Sequence, residues 1–320
     1  MRALLKGFKR RVLQGTPRAT GATLAARLIG DRVKTVLDVG ARWGTSGAWY
    51  RLSPLAKVVG FEPDAEECAR LNRTASPYER FVPIALGASR ETVTIHVTRE
   101  PGCSSIYPPD MSVARRYAGL DIMTPVRTVT LDTIRLQDWA REEDCTDDIA
   151  FMKLDVQGYE LSILQGAGPT LDRCLGLEVE VEFNPLYEGQ PLFADVDQFL
   201  RARGFALWRL DQLVHYSERP LRQLPRSASA MYSGIDSPFN AGAGRLYWAN
   251  AIYFRDYRAL PANLIDVTSE LTLAALYDAA GDTDAHLASL QHLLSRFSDV
   301  LTSDQRRSLL DHIDVVNLGE

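Results

Sequence analysis

Two strand-like segments that each end in a carboxylate carry the first chemical signal of this sequence. The apolar run V-L-D-V contains Asp38, a turn with Gly40 and Gly44 follows it, and the next apolar run ends at Glu62. At the end of the second strand of an open α/β sheet, a carboxylate can hydrogen-bond the ribose of a nucleoside. The spacing therefore predicts a nucleoside site formed by Asp38, the glycine turn and Glu62.

The spacing of the glycines indicates which nucleoside this site would bind. A dinucleotide site uses G-x-G-x-x-G, whose second glycine lets the backbone approach a pyrophosphate at a helix N-terminus. From residue 40 this chain reads G-x-x-x-G-x-x-G, so Arg42 would face the pyrophosphate. The wider turn disfavours NAD and suits S-adenosylmethionine, whose ammonium would pair with Asp38 and whose ribose would meet Glu62.

Strand-like runs alternate with helical periods along most of the chain, which is typical of a doubly wound parallel sheet. The runs predict seven strands, near residues 33–39, 56–61, 80–86, 149–155, 175–183, 204–210 and 247–255. Helices are expected at residues 65–72, 159–166 and 195–204, and the alternating run 91–97 predicts an extra edge strand. We therefore expect an α/β fold with a Rossmann-like, seven-stranded, mostly parallel sheet.

The sequence also predicts three segments and two large insertions. Residues 1–30 form a basic helical segment, residues 31–258 carry the α/β pattern, and residues 259–320 form a helical appendix in which Ser303 is a helix N-cap. The insertions, residues 99–127 and 214–246, are rich in Pro, Gly and Ser, and we expect them to form a lid over the carboxyl edge of the sheet. Whether the appendix packs on its own chain or on a second copy stays open.

The composition excludes several classes of protein. A net charge of -5 argues against a nucleic-acid binder, and no apolar run approaches the ~20 residues of a spanning helix. The N-terminus lacks the apolar core of a signal peptide, so we expect a cytoplasmic protein. The basic residues 1–20 fit either a weak contact with an anionic membrane surface or a terminal helix packed on the domain. Four scattered cysteines indicate reduced thiols, with neither a disulfide framework nor a zinc site.

Several motifs together resemble the FkbM family of S-adenosylmethionine-dependent methyltransferases. They lie within residues 33–255 and read D-V-G-A-R-W-G, F-E-P-D, T-L-D, K-L-D-V-Q-G-Y-E-L-S-I-L-Q-G-A and E-V-E-F-N-P-L-Y-E-G-Q. The resemblance implies a class I methyltransferase fold and O-methylation of a hydroxyl on a saccharide or natural product. In one departure, the family usually has asparagine where this chain has Arg42, which would alter contacts to the cofactor's carboxylate tail or supply a cation for an acidic substrate.

The motifs and their order assign residues to both ligands. The residues expected to hold S-adenosylmethionine are Asp38, Gly40, Ala41, Arg42, Gly44, Glu62, Pro63, Ala85 and Asp155. The residues expected to bind a small-molecule acceptor are Ser104, Ser105, Asn184 and Tyr187. Without the resemblance, the second group consists of ordinary polar loop residues.

The chemistry of methyl transfer indicates what a catalytic group would do. Displacement at a sulfonium is in-line, so the protein mainly aligns the reactants and excludes water. A base within hydrogen-bond reach of an attacking hydroxyl would add to the rate. Asp155 ends the fourth strand, where it would stabilise the positive cofactor or take this proton. Its alternative role is to cap the following helix.

Three further carboxylates alternate along the fifth strand and therefore share one face, Glu178, Glu180 and Glu182. Buried carboxylates are costly unless paired, so we expect the first two in structural ion pairs. Glu182 lies nearest the carboxyl end and is a candidate base or substrate ligand. His215 is a further catalytic candidate, because it lies in a predicted lid and a histidine pKa suits a general base, and the alternative is a surface loop histidine. No histidine cluster supports a metal held by Asp155 and Glu182.

Two other functions stay open at this point. A NAD-dependent dehydrogenase could use the same fold, although the glycine pattern and the lack of a suitably placed Y-x-x-x-K motif argue against it. A non-catalytic scaffold could bind a nucleoside, and a membrane or partner through residues 1–20 or the appendix, and have lost turnover through Arg42. The main prediction is an S-adenosylmethionine-dependent methyltransferase that acts on oxygen.

Overall fold

The structure is a computed structural model of the chain. It describes residues 20–30, 34–45, 49, 52, 55–117, 119–218 and 244–318. The predicted membrane contact of residues 1–20 lies outside the described residues except for Thr20, and the middle of the second predicted lid segment, residues 219–243, lies outside them as well. Among the helices that are described, none is long and apolar enough to cross a membrane.

The strands and helices alternate along the chain. The strands are β1 (Lys34–Val39), β2 (Ala56–Phe61), β3 (Glu79–Val82), β4 (Ala85–Gly87), β5 (Thr92–Thr98), β6 (Pro125–Arg135), β7 (Ile149–Leu154), β8 (Gly176–Glu182), β9 (Phe205–Tyr216) and β10 (Arg245–Arg255). The helices are α1 (Thr20–Ile29), α2 (Ala65–Asn72), α3 (Met111–Ala114), α4 (Leu136–Glu142), α5 (Glu160–Gln165), α6 (Pro169–Arg173), α7 (Phe193–Arg201), α8 (Val267–Ala279), α9 (Thr283–Arg296) and α10 (Ser303–Leu318).

Seven of the strands form the central sheet, in the order β3-β2-β1-β7-β8-β10-β9. All neighbours are parallel except that β10 runs antiparallel to both β8 and β9. The predicted seven-stranded, mostly parallel α/β sheet is therefore confirmed. β2 and β3 lie on one side of β1, and β7 lies on its other side, so the strand order reverses at β1. Ligands of such sheets bind outside the carboxyl ends of the strands at this reversal.

Alternate side chains of the sheet supply two hydrophobic cores. Val36 and Phe151 contribute to a core that also contains residues of α1, α8, α9 and α10, whereas Leu37 and Met152 contribute to a core with α4, α5, α6 and α7. Successive side chains of a strand point to opposite faces, so each strand serves both cores. The C-terminal helices thus pack on the sheet of their own chain, a choice that the sequence left open.

The strand predicted at residues 80–86 is instead two strands in two sheets. β3 ends at Val82, and the next residue, Pro83, cannot donate a ladder hydrogen bond. β4 starts at Ala85 and pairs with β6, in a second sheet of order β4-β6-β5. β5 is the extra strand predicted at 91–97. Its partner β6 was not predicted, because its first residues continue a proline-rich stretch that was assigned to an insertion.

The first insertion is more ordered than the predicted lid. It contains the short helix α3, whose N-cap Asp110 accepts hydrogen bonds from the amides of Ser112 and Val113. Its Tyr117 lies in a small hydrophobic core together with Tyr187 and Tyr247. The amide of Asp110 also donates to the carbonyl of Leu186 at 2.9 Å, just beyond the end of β8. The insertion is therefore packed against the carboxyl edge of the sheet.

The N-cap predicted at Ser303 belongs one residue earlier. Ser303 is the first residue of α10, and the amide of Gln305 donates to Oγ1 of Thr302 at 3.2 Å. The side chain of Gln305 in turn accepts from the amide of Thr302 at 3.0 Å. This reciprocal pair is a capping box, a motif that takes either serine or threonine at the N-cap.

Candidate active site

The candidate site lies where the carboxyl ends of β1 and β7 meet. Val39 and Leu154 are paired in register, and the amide of Asp155 donates to the carbonyl of Val39 at 3.0 Å. Gly40 follows with φ +87°, and a Cβ at this position would lie 2.0 Å from the carbonyl oxygen of Asp155. Only glycine therefore allows the turn after β1 to lie directly on Asp155, the residue that follows β7.

The glycine turn folds toward the end of β2. The amides of Gly40 and Ala41 both approach the carbonyl of Phe61, at 3.2 and 3.0 Å, and the amide of Gly44 donates to the carbonyl of Ala41 at 2.8 Å. Gly44 also has a positive φ, +89°, which strains any residue with a side chain. The turn therefore contacts Asp155 on one side and the end of β2 on the other, directly before Glu62.

Glu62 is buried beside Arg42, the residue that stands where the resembled family usually has asparagine. Its Oε1 accepts from the amide of Asp64 at 2.8 Å and lies 3.7 Å from Nη1 of Arg42, which is 3.3 Å from Oδ2 of Asp64. Burial raises the pKa of Glu62 to about 7, against the lowering effects of the Asp64 amide and of Arg42. The guanidinium therefore lies at the carboxylate predicted to bind ribose. It stabilises the ionised form of that carboxylate.

Lys153 joins the two aspartates of the site. Its Nζ lies 3.6 Å from Oδ1 of Asp38 and 3.1 Å from Oδ2 of Asp155, in a buried position on β7. Burial disfavours the ammonium, but the charges of Asp155, Asp38 and Glu178 outweigh it and raise the pKa of Lys153. The sequence analysis missed this residue, although it stands two positions before Asp155 on the same strand and so on the same face.

Gln157 is the second residue that the sequence analysis missed, and it forms hydrogen bonds with four other residues of the site. Its Nε2 donates to Oδ1 of Asp155 at 3.2 Å and to Oε2 of Glu180, and its Oε1 accepts from the hydroxyl of Tyr187 at 2.8 Å. Its carbonyl accepts from Oγ of Ser105 at 2.7 Å. Its backbone has φ +61°, and Gly158 follows with φ +97°. The D-V-Q-G motif was the available signal for Gln157. A residue in a turn directly before a glycine can place its side chain against the ends of the strands.

The carboxylates of β8 have neutral partners where ion pairs were expected. Glu178 accepts from Nε1 of Trp49 and from Nδ2 of Asn250, and Glu180 accepts from Gln157. Among the described residues, neither carboxylate has a cation within 4.0 Å. Burial raises the pKa of both, because the charged form loses its hydration without gaining a direct ion pair.

Glu182 lies deeper than its predicted role requires. It ends β8 and is 3% exposed, and burial together with the nearby Glu160 raises its pKa well above the ordinary value. Asp155, by contrast, has a side chain that is 36% exposed at the carboxyl edge. The structure therefore gives Asp155 rather than Glu182 the open position at the strand ends.

The predicted acceptor residues hold the loops in place. Ser105 donates to Gln157 and accepts from the amide of Tyr107 at 3.0 Å, and Oγ of Ser104 accepts from the amide of Thr98 at 3.2 Å. Nδ2 of Asn184 donates to the carbonyl of Leu246 at 2.7 Å. These contacts connect the first insertion and β10 to the site. Of the other predicted cofactor residues, Pro63 follows Glu62 and Ala85 is the first residue of β4.

His215 lies in a strand and not in the loop that was predicted. β9 continues to Tyr216, six residues past the predicted end, because its pairing with β10 extends through several register shifts. β9 is separated from β8 by β10, which places the two strands roughly 10 Å apart. The described hydrogen bonds join His215 to neither Asp155 nor Glu182. The described residues contain no group of three or more His, Cys, Asp or Glu that could hold a metal ion.

Comparison with known proteins gives one family and several relatives. A family model described as the methyltransferase FkbM domain matches residues 38–207, just over half of the chain. The 2-O-methyltransferase NoeI of Sinorhizobium fredii (strain NBRC 101917 / NGR234) is 28% identical over 169 residues, which cover 51% of this chain and 69% of that protein. The match to the family model includes the glycine turn, Glu62 and the D-V-Q-G segment.

Two solved structures are also similar, at low scores. The magnesium protoporphyrin IX methyltransferase of Synechocystis PCC 6803 aligns with a TM-score of 0.32 and 13% identity over 77% of this chain and 88% of that one. A TehB-like S-adenosylmethionine-dependent methyltransferase of Corynebacterium glutamicum aligns with a TM-score of 0.30 and 11% identity over 79% and 97%. The fold assignment rests on the sheet order of the chain itself, to which scores this low add nothing.

Proposed function

The chain belongs to the FkbM methyltransferase family and is an S-adenosylmethionine-dependent methyltransferase, and we propose that it methylates a hydroxyl group of a saccharide or natural product. The observation that carries the proposal is Asp155, a partly exposed carboxylate at the reversal of the strand order, held between Lys153 and Gln157. A carboxylate in that position can accept the proton of an attacking hydroxyl. The relative NoeI, a 2-O-methyltransferase by name, supports oxygen as the acceptor atom.

The residues at the strand ends fit the cofactor. S-adenosylmethionine supplies an electrophilic methyl group on a positively charged sulfonium. Glu62, buried at the end of β2, offers a carboxylate for the ribose hydroxyls, and the turn from Gly40 to Gly44 lies beside it, held by the bonds of the Gly40 and Ala41 amides to the carbonyl of Phe61. Asp38 is a buried carboxylate whose described partner is the ammonium of Lys153, so a ligand ammonium would share it with that lysine. We propose these four residues as the main cofactor contacts.

The chain's own residues would then orient the acceptor and manage its proton. Asp155 accepts a hydrogen bond from the acceptor hydroxyl and takes its proton as the new bond forms. Lys153 and Gln157 fix both oxygens of that carboxylate, so its orientation is set before the acceptor binds. The first insertion is held at this edge by the bond from Ser105 to the carbonyl of Gln157 and by the bond from the Tyr187 hydroxyl to the carbonyl of Cys103.

Two experiments test the function in sequence. Calorimetric titration of the protein with S-adenosylmethionine tests the cofactor site, with NAD as the alternative ligand. Incubation with isotope-labelled S-adenosylmethionine and a panel of saccharides, phenols and amines then tests the acceptor, and NMR identifies the methylated atom. Methylated oxygen on a saccharide or a phenol supports the proposal and tells the two acceptor classes apart. Transfer to nitrogen alone contradicts it, and cofactor binding without any transfer favours the scaffold alternative.

A further inference from the structure

Trp43 lies in the glycine turn, between Gly40 and Gly44, and differs from the other tryptophans of the chain. Three of those donate their indole N–H to a neighbouring side chain, and the fourth, Trp139, is 2% exposed. Trp43 is 39% exposed, and within the described part of the chain its indole N–H has no acceptor. The cofactor turn therefore exposes a flat apolar surface together with an unused hydrogen-bond donor.

The first insertion brings a carboxylate to this indole. Measured from the position that a Cβ on Gly102 would take, Nε1 of Trp43 lies at 3.2 Å and Oε1 of Glu100 at 3.9 Å. The backbone of Glu100 is fixed, because its amide donates to the carbonyl of Ile122 at 3.0 Å and its carbonyl accepts from Oγ1 of Thr98 at 2.6 Å. Its carboxylate forms no ion pair or hydrogen bond with any residue that the structure describes. The indole donor and the carboxylate acceptor therefore border the same space.

This space is connected to Asp155 on two sides. On one side, the turn that carries Trp43 packs on the carbonyl of Asp155. On the other side, the hydroxyl of Tyr187 lies 2.9 Å from the carbonyl of Cys103 in the insertion and 2.8 Å from Oε1 of Gln157. The amide of Gln157 in turn donates to Asp155 at 3.2 Å. The space at Trp43 is therefore part of the same edge as the proposed base.

The groups around the space match the chemistry of one class of ligand. A pyranose ring has an apolar face of C–H bonds, which stacks on a flat aromatic side chain, and hydroxyl groups that both donate and accept hydrogen bonds. The indole of Trp43 supplies the flat surface and one donor, and the carboxylate of Glu100 supplies an acceptor. A simple phenol offers a flat face but only the one hydroxyl that is methylated, which leaves Glu100 without a donor.

We propose that Trp43 and Glu100 form the acceptor subsite, in which a saccharide ring stacks on the indole and donates a hydroxyl hydrogen bond to the carboxylate. This inference rests on the proposed function and deepens it by naming the saccharide as the acceptor class. Arg42 orients the subsite, because its guanidinium lies 5.7 Å from the centroid of the Trp43 ring and 3.7 Å from Oε1 of Glu62. One arginine thus joins the acceptor subsite to the carboxylate expected to bind the ribose.

The first test measures binding without turnover. Saturation-transfer difference NMR of the full chain uses the methyl glycosides of glucose, galactose, mannose and N-acetylglucosamine as probes, and 4-methylphenol as the aromatic alternative. The wild type should transfer saturation mainly to the C–H protons on one ring face of at least one glycoside. Trp43→Leu should weaken the binding of that glycoside about tenfold, because it removes the stacking surface, and Trp43→Phe should retain most of the affinity.

The control for the first test is Tyr78→Leu. Tyr78 precedes β3 and is 42% exposed, so the variant removes an aromatic ring of similar exposure away from the insertion and should bind the glycoside as the wild type does. Three outcomes would overturn the subsite: no transfer to any glycoside, transfer to 4-methylphenol alone, or equal losses in Tyr78→Leu and Trp43→Leu.

The second test uses a saccharide that accepts the methyl group. Trp43→Leu and Glu100→Gln should each raise KM for the saccharide about tenfold and change kcat by less than about threefold, because both residues hold the ring and neither takes the proton. The affinity for S-adenosylmethionine should stay unchanged. Glu142→Gln, an exposed glutamate paired with Arg90, is the control for the carboxylate and should keep the wild-type KM. A lower kcat at unchanged KM, or an equal loss of cofactor affinity, would contradict the subsite.

The subsite and the proposed function can fail separately. If the wild type binds a glycoside through Trp43 but transfers no methyl group to any saccharide, the subsite stands and the proposed function fails. If a saccharide hydroxyl is methylated and its KM responds to neither Trp43→Leu nor Glu100→Gln, the proposed function stands and the subsite is overturned.

Discussion

The carbonyl oxygen of Asp155 occupies the space that a Cβ on Gly40 would need, with 2.0 Å between the two positions. The glycine turn and the end of β7 are therefore packed backbone against backbone. This contact brings the predicted cofactor turn and the predicted base into one site. It also provides a direct way to test the site by substitution.

Gly40→Ala should destabilise the protein far more than Gly44→Ala. Both glycines have a positive φ, near +90°, so an alanine costs about 1–2 kcal/mol of backbone strain at either position. Only at Gly40 does the new methyl group also collide with a backbone carbonyl, because at Gly44 the nearest atom is Cδ2 of Leu71 at 3.7 Å. Urea unfolding of the two variants measures the difference. Equal losses of stability would contradict the packing of the turn on Asp155.

Glu62→Gln should weaken the binding of S-adenosylmethionine in a pH-dependent way. Burial raises the pKa of Glu62 to about 7, so the wild-type carboxylate is ionised at pH 8.5 and largely protonated at pH 6. A hydrogen bond to a charged acceptor is worth about 1.5–3 kcal/mol, so we expect about a tenfold to hundredfold loss at pH 8.5 and a much smaller loss at pH 6. Calorimetry across this pH range measures the ratio of the wild-type affinity to the Glu62→Gln affinity. Protonation of the ligand affects both proteins equally and therefore cancels in this ratio.

Arg42→Asn should move that pH dependence to higher pH. The guanidinium of Arg42 lowers the pKa of Glu62, and its removal leaves the raising effect of burial less opposed. Affinity for S-adenosylmethionine should then reach its maximum only at a more alkaline pH than in the wild type. The matched control is Arg90→Asn, which removes the partner of the exposed Glu142 on α4 and should leave the profile unchanged. A profile that Arg42→Asn does not shift would disprove the role of Arg42 at this carboxylate.

Acidification should destabilise the packing of the C-terminal helices through His312. Nε2 of His312 lies 2.9 Å from Nε2 of His286, and burial together with that neighbour lowers the pKa of His312. The folded state therefore prefers the neutral ring, and its contribution to stability is lost as pH falls below the ordinary histidine value. The unfolding free energy should fall less steeply between pH 7 and 5 in His312→Gln than in the wild type. His96→Gln, on β5, is the control and should keep the wild-type slope.

Tyr277 should contribute to the stability of the whole fold. It lies on α8, is fully buried, and donates its hydroxyl to the carbonyl of Arg255 on β10 at 2.8 Å. Its ring contacts Trp208, with 5.0 Å between the ring centroids. Tyr277→Ala should cost about 3–5 kcal/mol in urea unfolding, as for other large buried aromatics, and Tyr277→Phe about 1–3 kcal/mol. A loss below 1 kcal/mol for the alanine variant would mean that α8 is dispensable for the sheet.

The sequence by itself determined the central sheet and the ends of the strands that carry the site, β1, β2, β7 and β8. Apolar runs of strand length, separated by helical periods, can bury their side chains only in an α/β sheet covered on both faces, and this signal is local. The glycine spacing after Asp38 and the position of Glu62 are also local. For that reason the predicted cofactor turn corresponds to the turn in the structure, where Gly40 and Gly44 have positive φ.

The tertiary structure decided everything that depends on contacts between distant segments. Arg42 lies at Glu62, Gln157 lies between Asp155 and Glu180, and the C-terminal helices complete the core on one face of the sheet. None of these contacts leaves a periodic signal in the sequence, because each depends on which strand ends become neighbours. The pKa of Glu180 also depends on the tertiary structure, because the burial and the nearby charges that raise it come from several elements at once. The sequence thus supplies the groups, and the packing of strand ends sets their charge and their partners.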